Sequence, residues 1–142
     1  MKMFTVAMVV LSFFTTNSSA APGELDLTFN GNGRAKFKFG ESSDFGRASA
    51  LQPNGKIVVV GSIAIGPSVD FGVARFNTDG TLDGSFNLDG IVATDISANE
   101  NAGTAVLIQP DGKIVVAGFA RTGPGLTIDF AVARYETFGF LD

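Results

Sequence analysis

The sequence predicts an all-β fold, with β-propeller-like repeats that form about two four-stranded antiparallel blades. The first observation is a repeat, because a pattern of residue types that starts at Gly23 starts again 57 residues later, at Gly80. The second is that each copy divides into four short extended segments separated by turn-forming residues. The third is that no segment after residue 20 keeps apolar residues at helical spacing for three turns. Together they favour a propeller blade over a β-solenoid coil or a β-sandwich.

The N-terminus differs in composition from the rest of the chain. Lys2 is followed by an apolar run at residues 4–14 and then by small and polar residues up to Ala20. This order is typical of a secretory signal peptide, and the small residues predict cleavage between Ala20 and Ala21. The apolar run is shorter than the roughly twenty residues that a membrane-spanning helix needs. The sequence therefore predicts a secreted protein (periplasmic, cell-surface or extracellular) with no membrane anchor.

Composition limits the chemistry of the exported part. The chain has no Cys and no His, which removes disulfides, the usual zinc ligands and the general base of a Ser-His-Asp triad. Without Lys2, nine basic residues face fourteen acidic ones, a net charge of 9 − 14 = −5. No basic run is present either, so we expect no nucleic-acid partner.

Three motifs carry the repeat, and they occur in the same order in both copies. They are G-x-L-D-x-[ST]-F-N-x-[ND]-G at residues 23–33 and 80–90, Q-P-[ND]-G-K-I-V-V-x-G at residues 52–61 and 109–118, and D-F-x-V-A-R-[FY] at residues 70–76 and 129–135. The last motif is offset by 59 residues because the second copy has two more residues in a Gly/Pro-rich loop. Loops tolerate such insertions.

The repeat predicts how the chain is divided. The predicted parts are a signal peptide at 1–20, one blade-like repeat at 21–79, another at 80–138, and the start of a third repeat at 139–142. Propellers typically use about four to eight blades, so two blades leave apolar faces and strand edges open. We therefore expect a piece of a longer array or self-association that closes the propeller.

Each copy contains four predicted strands. They lie at 34–39, 47–52, 56–62 and 70–76 in the first copy, and at 91–96, 104–109, 113–119 and 129–135 in the second. Pro-Asn-Gly or Pro-Asp-Gly separates the second strand from the third. Pro sets φ at the first corner of a turn and Gly accepts a positive φ, so this tripeptide predicts a hairpin.

At these three motifs the chain resembles the delta-60 repeat, a propeller-like module found in tandem in secreted bacterial proteins. The resemblance covers residues 23–142. It implies a β-propeller-like fold and a bacterial, exported setting. The family has no assigned activity that carries over to this chain, and its members usually carry many more repeats.

Six charged residues recur with the repeat and are the first candidates for acid–base chemistry. They are Asp26, Asp70, Asp83, Asp129, Arg75 and Arg134. A catalytic site normally needs one asymmetric set of groups, whereas these residues occur once per repeat, which is typical of groups that maintain a fold. We expect Asp70 to cap or turn the chain and Arg75 to pair with a carboxylate of the next blade.

Oxygen-bearing side chains alternate between Asp83 and Asp89, and a similar series begins at Asp26. Such spacing suggests a calcium loop, since Ca²⁺ takes six to eight oxygen ligands. The EF-hand pattern fails, because Phe37 and Thr94 stand where it needs a carboxylate. Side chains that form Asx turns in a linker between blades explain the same residues.

The sequence thus predicts no catalytic, cofactor-binding or metal-binding residue. We expect an exported noncatalytic structural or interaction module, not an enzyme, whose partner is an unknown protein or glycan ligand. Two alternatives stay open at this stage. One is an N-terminal fragment of a larger secreted propeller hydrolase or lyase, and the other is a calcium-dependent adhesion module.

Overall fold

A computed structural model of the chain describes residues 21–40, 43–125 and 127–142. In these ranges the chain forms seven strands and one short 3-10 turn at Phe29–Gly31. None of the helical structure described there is long and apolar enough to cross a membrane. The predicted signal peptide at 1–20 lies outside the described residues.

The first sheet has four antiparallel strands in the order in which they occur along the chain. They are β1 (Phe45–Leu51), β2 (Ile57–Ile65), β3 (Ser68–Phe76) and β4 (Ile91–Thr94). The first three belong to the first sequence repeat and β4 belongs to the second. The sheet therefore crosses the boundary that the sequence repeat defines.

The second sheet has three antiparallel strands, again in chain order. They are β5 (Asn101–Ile108), β6 (Ile114–Thr122) and β7 (Thr127–Tyr135). Two antiparallel sheets confirm the predicted all-β, blade-like fold. Among the described residues this sheet has three strands, where the prediction gave each blade four.

The predicted strand at 34–39 is also wrong, since these residues lie outside every strand. Their counterpart in the second repeat is β4, which pairs with β3 of the preceding repeat and not with its own. Residues 34–39 have no such preceding repeat among the described residues. An extended segment becomes a strand only when a partner supplies the hydrogen bonds, and that partner is missing here.

The Pro-Asn-Gly and Pro-Asp-Gly hairpins form as predicted. Gly55 and Gly112 adopt φ of 82° and 86°, and the amide of each donates to the carbonyl of the Gln three residues earlier. The Asn54 carboxamide oxygen accepts from the Lys56 amide at 3.1 Å, which closes the turn with an Asx-type bond. These turns set the register of β1 on β2 and of β5 on β6.

The two sheets stack face to face over a shared apolar core. We call the side of the first sheet that carries Val58, Val60, Phe71 and Val73 its front face, and all four side chains are buried. The opposite side of the second sheet, its back face, contributes Ile114, Val116, Ala131, Ala133 and Tyr135 to the same core. Tyr135 also donates its hydroxyl to Thr94 Oγ1 at 2.8 Å, which ties β4 to the second sheet.

The stacking joins unlike faces of two similar sheets. Phe71 on the front face of the first sheet is 0% exposed, whereas its counterpart Phe130 on the front face of the second sheet is 102% exposed. Val73 and its counterpart Val132 differ in the same way, at 0% and 66%. The second sheet thus presents an uncovered copy of the surface that the first sheet buries.

Candidate functional site

A cluster of charged side chains lies where the first repeat joins the second. The Asp83 carboxylate accepts from Lys56 Nζ at 2.7 Å and from Arg75 Nε at 2.6 Å. Lys56 follows the hairpin turn, Arg75 lies near the end of β3, and Asp83 lies in the linker that follows β3. Ser85 adds a hydroxyl bond to Asp83 at 2.7 Å. Each charge in this cluster has an opposite charge beside it.

Burial and hydrogen bonding act in opposite directions on Asp83. Burial by itself raises the pKa of the carboxyl, because the charged form loses its hydration. Hydrogen bonds from Lys56, Ser85 and Arg75 outweigh burial and hold the pKa well below its ordinary value. Asp83 is therefore an anion at every physiological pH. A permanently ionised group of this kind is poorly suited to general acid–base work near neutral pH.

Arg75 extends the cluster into the second repeat. Its Nη1 donates to the Thr137 carbonyl at 2.6 Å, and its guanidinium carbon lies 4.6 Å from the centre of the Phe86 ring. Thr137 belongs to the turn that follows β7. Arg75 thus fixes the linker, through Asp83, and the second sheet, through Thr137, against the end of the first sheet. The expected pairing of Arg75 with a carboxylate of the next repeat is confirmed.

The second repeat assembles the same three residue types. Lys113 Nζ lies 2.7 Å from Asp142 Oδ1, and Arg134 also pairs with Asp142. Hydrogen bonds from Lys113 and Arg134 lower the pKa of Asp142 to about 2. The recurrence supports a structural role, since one cluster occurs at the end of each repeat's third strand.

The linker oxygens that suggested calcium are used inside the linker itself. Asp89 Oδ1 accepts from the Ile91 amide at 3.0 Å, and Asn87 Nδ2 donates to the Ile91 carbonyl at 2.7 Å. Asp83 already faces Lys56 and Arg75, two cations that oppose binding of a third. In the described ranges, no group of three or more His, Cys, Asp or Glu residues is placed to hold a metal ion.

Asp70 lies inside β3, so the expectation that it caps or turns the chain is wrong, and it differs from Asp83 in having a raised pKa. It is 6% exposed and Oδ2 accepts from the Ser68 hydroxyl at 3.3 Å, while Oδ1 makes no hydrogen bond within the described part of the chain. Burial raises its pKa, and the nearby Asp95 carboxylate raises it further. Its counterpart Asp129 is exposed and pairs with the Thr122 hydroxyl. The two equivalent aspartates therefore have different environments.

Two loops meet near Asp70 at one end of the stacked sheets, and the loop between β6 and β7 lies at the same end. We call this the loop end, and it comprises residues 66–67, 95–100 and 123–125. A groove of about 300 Å³ lies there, lined by Pro67, Val69, Ala98, Asn99, Glu100 and Arg121. Arg121 Nε pairs with Glu100 Oε2 at 2.8 Å across it. The lining of the groove is about half polar and half apolar, and the groove lies between the two repeats, a common position for binding sites.

The sequence motifs missed the role of the two lysines and the groove. Lys56 and Lys113 occupy the same position after the turn glycine, and that recurrence was a readable sign of a shared partner. The groove left no comparable signal, because most of its residues come from loops that differ between the repeats and the rest from strand ends.

The stacked antiparallel sheets and the repeated Lys–Arg–Asp cluster define a protein of β-propeller repeats. Residues 52–86 and 109–142 match a family described as a domain of unknown function (DUF5122) beta-propeller. The two matches support a propeller-repeat family for this chain, with one match in each repeat. No curated protein and no solved structure matches the chain.

Proposed function

We propose that the chain is an exported, noncatalytic interaction module of delta-60-type propeller repeats from a bacterium, and that it binds a protein or glycan ligand. The observation that carries this proposal is that the recurring charged side chains pair with one another. Asp83 is held by Lys56 and Arg75, and Asp142 by Lys113 and Arg134. Groups that serve to join repeats in this way are not free to act on a substrate.

The loop end is the surface that we expect to bind the ligand. The opposite end consists of short turns with the same motif in both repeats, whereas the loops at this end differ in length and sequence. Variable loops on a rigid scaffold are the usual place for recognition. The groove beside Ala98 and Asn99 offers backbone and side-chain polar groups, together with the Glu100–Arg121 pair.

A substitution that fills the groove tests this assignment. Ala98 is exposed and lines the groove, so Ala98→Trp blocks it without removing a hydrogen bond. Leu88→Trp is the matched control, because Leu88 is 85% exposed and lies in the linker at the other end. The probes are a peptide display library and a glycan array.

We expect the wild-type chain and Leu88→Trp to bind the same probes and Ala98→Trp to lose them by about ten-fold or more. Binding that Ala98→Trp leaves intact would contradict the loop end as the binding surface. Conversion of a bound glycan or peptide would favour the hydrolase or lyase alternative. A melting temperature that rises with millimolar Ca²⁺ and not with Mg²⁺ would favour calcium-dependent adhesion.

A further inference from the structure

Among the described residues, the second sheet lacks a fourth strand and the extended segment 34–39 lacks a sheet. The second sheet ends at β7 with no fourth strand beside it among the described residues. The extended segment 34–39 has strand-like sequence but belongs to no sheet. An unpaired edge strand presents a row of free amides and carbonyls that favours pairing with another strand.

The first sheet shows how this position is filled. There β4 lies beside β3, with Phe71 opposite Thr94 and Val73 opposite Val92. The repeat offset is 59 residues for the third strand and 57 for the fourth. We add 59 to the numbers of the β3 residues to reach β7, and we subtract 57 from the numbers of the β4 residues to reach segment 34–39. This places Phe130 opposite Phe37 and Val132 opposite Ala35. The chain itself therefore supplies a register for the missing pair.

Segment 34–39 already lies where such an assembly needs it. The ring of Phe37 contacts that of Phe76 on the back face of the first sheet, with ring centres 5.3 Å apart. Their counterparts Thr94 and Tyr135 touch at the junction between the two sheets. Segment 34–39 is therefore placed on the first sheet as β4 is placed on the second.

The back face of the first sheet is partly covered, since Ala74 is buried there, but a cavity remains beside it. A cavity of about 120 Å³ lies beneath Phe37 and Phe39, and Val59 and Ala74 are among the residues that line it. In the second sheet, the counterparts of Val59 and Ala74 are buried by the front face of the first sheet. In an assembly, the uncovered front-face side chains of the second sheet of one copy, Phe130 above all, would lie at this position on the next copy.

We infer that copies of this chain assemble head to tail, with residues 34–37 of one copy pairing with β7 of the next as its fourth strand. The front face of the second sheet then packs on the back face of the first sheet of the other copy. The contact joins unlike surfaces, so it repeats from copy to copy and ends only where a ring closes. At two sheets per chain, rings of about four to eight blades need about two to four copies. The inference does not depend on what the loop end binds.

The assembly requires a small displacement. Residues 139–142 and 23–26 carry the same motif, so both would occupy one place at the junction between copies. Asp142 is held there by Lys113 and Arg134, whereas the Asp26 carboxylate bonds only to Thr28 within the described ranges. We expect residues 21–26 to give way. Their deletion should therefore strengthen assembly.

Cysteine cross-linking tests the register, because the chain has no Cys of its own. Residues opposite each other on paired strands lie about 4.5–5.5 Å apart, within the reach of a disulfide. Ala35→Cys combined with Val132→Cys places one thiol on each side of the proposed pair. Ala35→Cys combined with Ile128→Cys is the matched control, because Ile128 and Val132 are 61% and 66% exposed on the same strand. Ile128 would lie about 13 Å out of register.

On mild oxidation of the full chain, we expect the 35/132 pair to give covalent dimers and higher multiples at about ten-fold the yield of the 35/128 pair. Equal yields, or none from either pair, would overturn the proposed strand pairing. The segment 1–20 is present in every variant, so any association that it causes is common to both. A disulfide within one chain is not expected, because Ala35 and Val132 lie on opposite outer faces of the stack.

Light scattering of the uncross-linked chain gives a second readout. Val132→Asp should shift the protein to monomer at concentrations where the wild-type chain is oligomeric, while its far-UV circular dichroism stays unchanged. Leu88→Asp, at a residue that is 85% exposed outside both sheets, should leave the oligomer intact. A wild-type chain that is monomeric at all concentrations would overturn the inference, as would a Val132→Asp variant that assembles normally.

Discussion

Arg75 donates its Nε proton to Asp83 Oδ2 at 2.6 Å, and both side chains are only 6% exposed. The same guanidinium donates to the Thr137 carbonyl of the second repeat. One side chain therefore holds the linker and the neighbouring sheet together. The equivalent Arg134 makes its pair with Asp142 at the surface, with 49% of its side chain exposed.

This difference in exposure predicts different costs for the same substitution. Arg75→Ala removes one of the two cations that hold the buried Asp83, together with the bond to the Thr137 carbonyl, and should lower the free energy of unfolding by about 3–5 kcal/mol. Arg134→Ala should cost about 0–1 kcal/mol, because water replaces its contacts. Urea unfolding of both variants measures the two costs. Equal costs would show that the buried junction does not hold the repeats together.

The hairpin turns give a second prediction. A Cβ on Gly55 would lie 2.8 Å from Thr78 Cγ2, and one on Gly112 would lie 3.0 Å from Thr137 Cγ2, at backbone φ values that side chains disfavour. Gly55→Val and Gly112→Val should each destabilise the protein by about 1–3 kcal/mol. Gly84→Val is the control, because a Cβ there meets nothing within 4 Å. Urea midpoints that fall equally in all three variants would contradict the turn geometry.

Asp70 makes a contribution to stability whose pH dependence is opposite in sign to that of Asp83. Its pKa is raised in the folded protein, so the folded state binds a proton more tightly than the unfolded state does. The wild-type chain therefore loses stability as pH rises from the unfolded pKa through the folded pKa. Asp70→Asn removes the charge and should be the more stable protein at about pH 7, with a smaller difference near about pH 4.

Urea midpoints of the wild-type chain and Asp70→Asn across this range test the sign. Asp129→Asn is the matched control, since Asp129 is the exposed counterpart in the second repeat. Its midpoint should follow that of the wild-type chain at each pH. An Asp70→Asn variant that is less stable at neutral pH would show that Asp70 is held as an anion.

Export predicts a defined mature N-terminus. The proposed signal peptide would be cleaved after Ala20, so exported protein should begin Ala-Pro-Gly. Ala20→Phe should block processing, because the peptidase requires a small residue at that position. N-terminal sequencing of protein from a secreting bacterial host makes the measurement. Exported protein that still begins at Met1 would contradict the signal peptide.

Seven of the eight predicted strands form, because alternation and β-branched runs describe which residues are extended. They do not describe which strand lies next to which. Residues 34–39 carry as clear an alternation as their counterparts in β4, yet only β4 has a neighbour to pair with. The sequence also did not show that a sheet starts and ends at other residues than the sequence repeat does. A repeat has the same period wherever its boundary is drawn, so the period does not show where a sheet begins.

Recurrence once per repeat is visible in the sequence, and it predicted the pair that Arg75 forms with a carboxylate of the next repeat. The individual environments of the recurring charges were not visible. Asp70 and Asp129 occupy equivalent positions, but only Asp70 is buried and lies near a second carboxylate. That difference depends on residues brought together from separate loops, which no local pattern encodes.

The central claim is that the two sheets form one unit through a shared front-to-back core, and hydrogen exchange tests it most directly. Phe71→Ala removes a buried ring at that contact and should cost about 3–5 kcal/mol. Phe130→Ala removes the equivalent ring from the uncovered face and, in dilute monomer, should change stability by less than about 0.5 kcal/mol. The account predicts that Phe71→Ala lowers amide protection in β2 and in β6 by the same free energy. Loss of protection in β2 alone, with β6 unchanged, would contradict it.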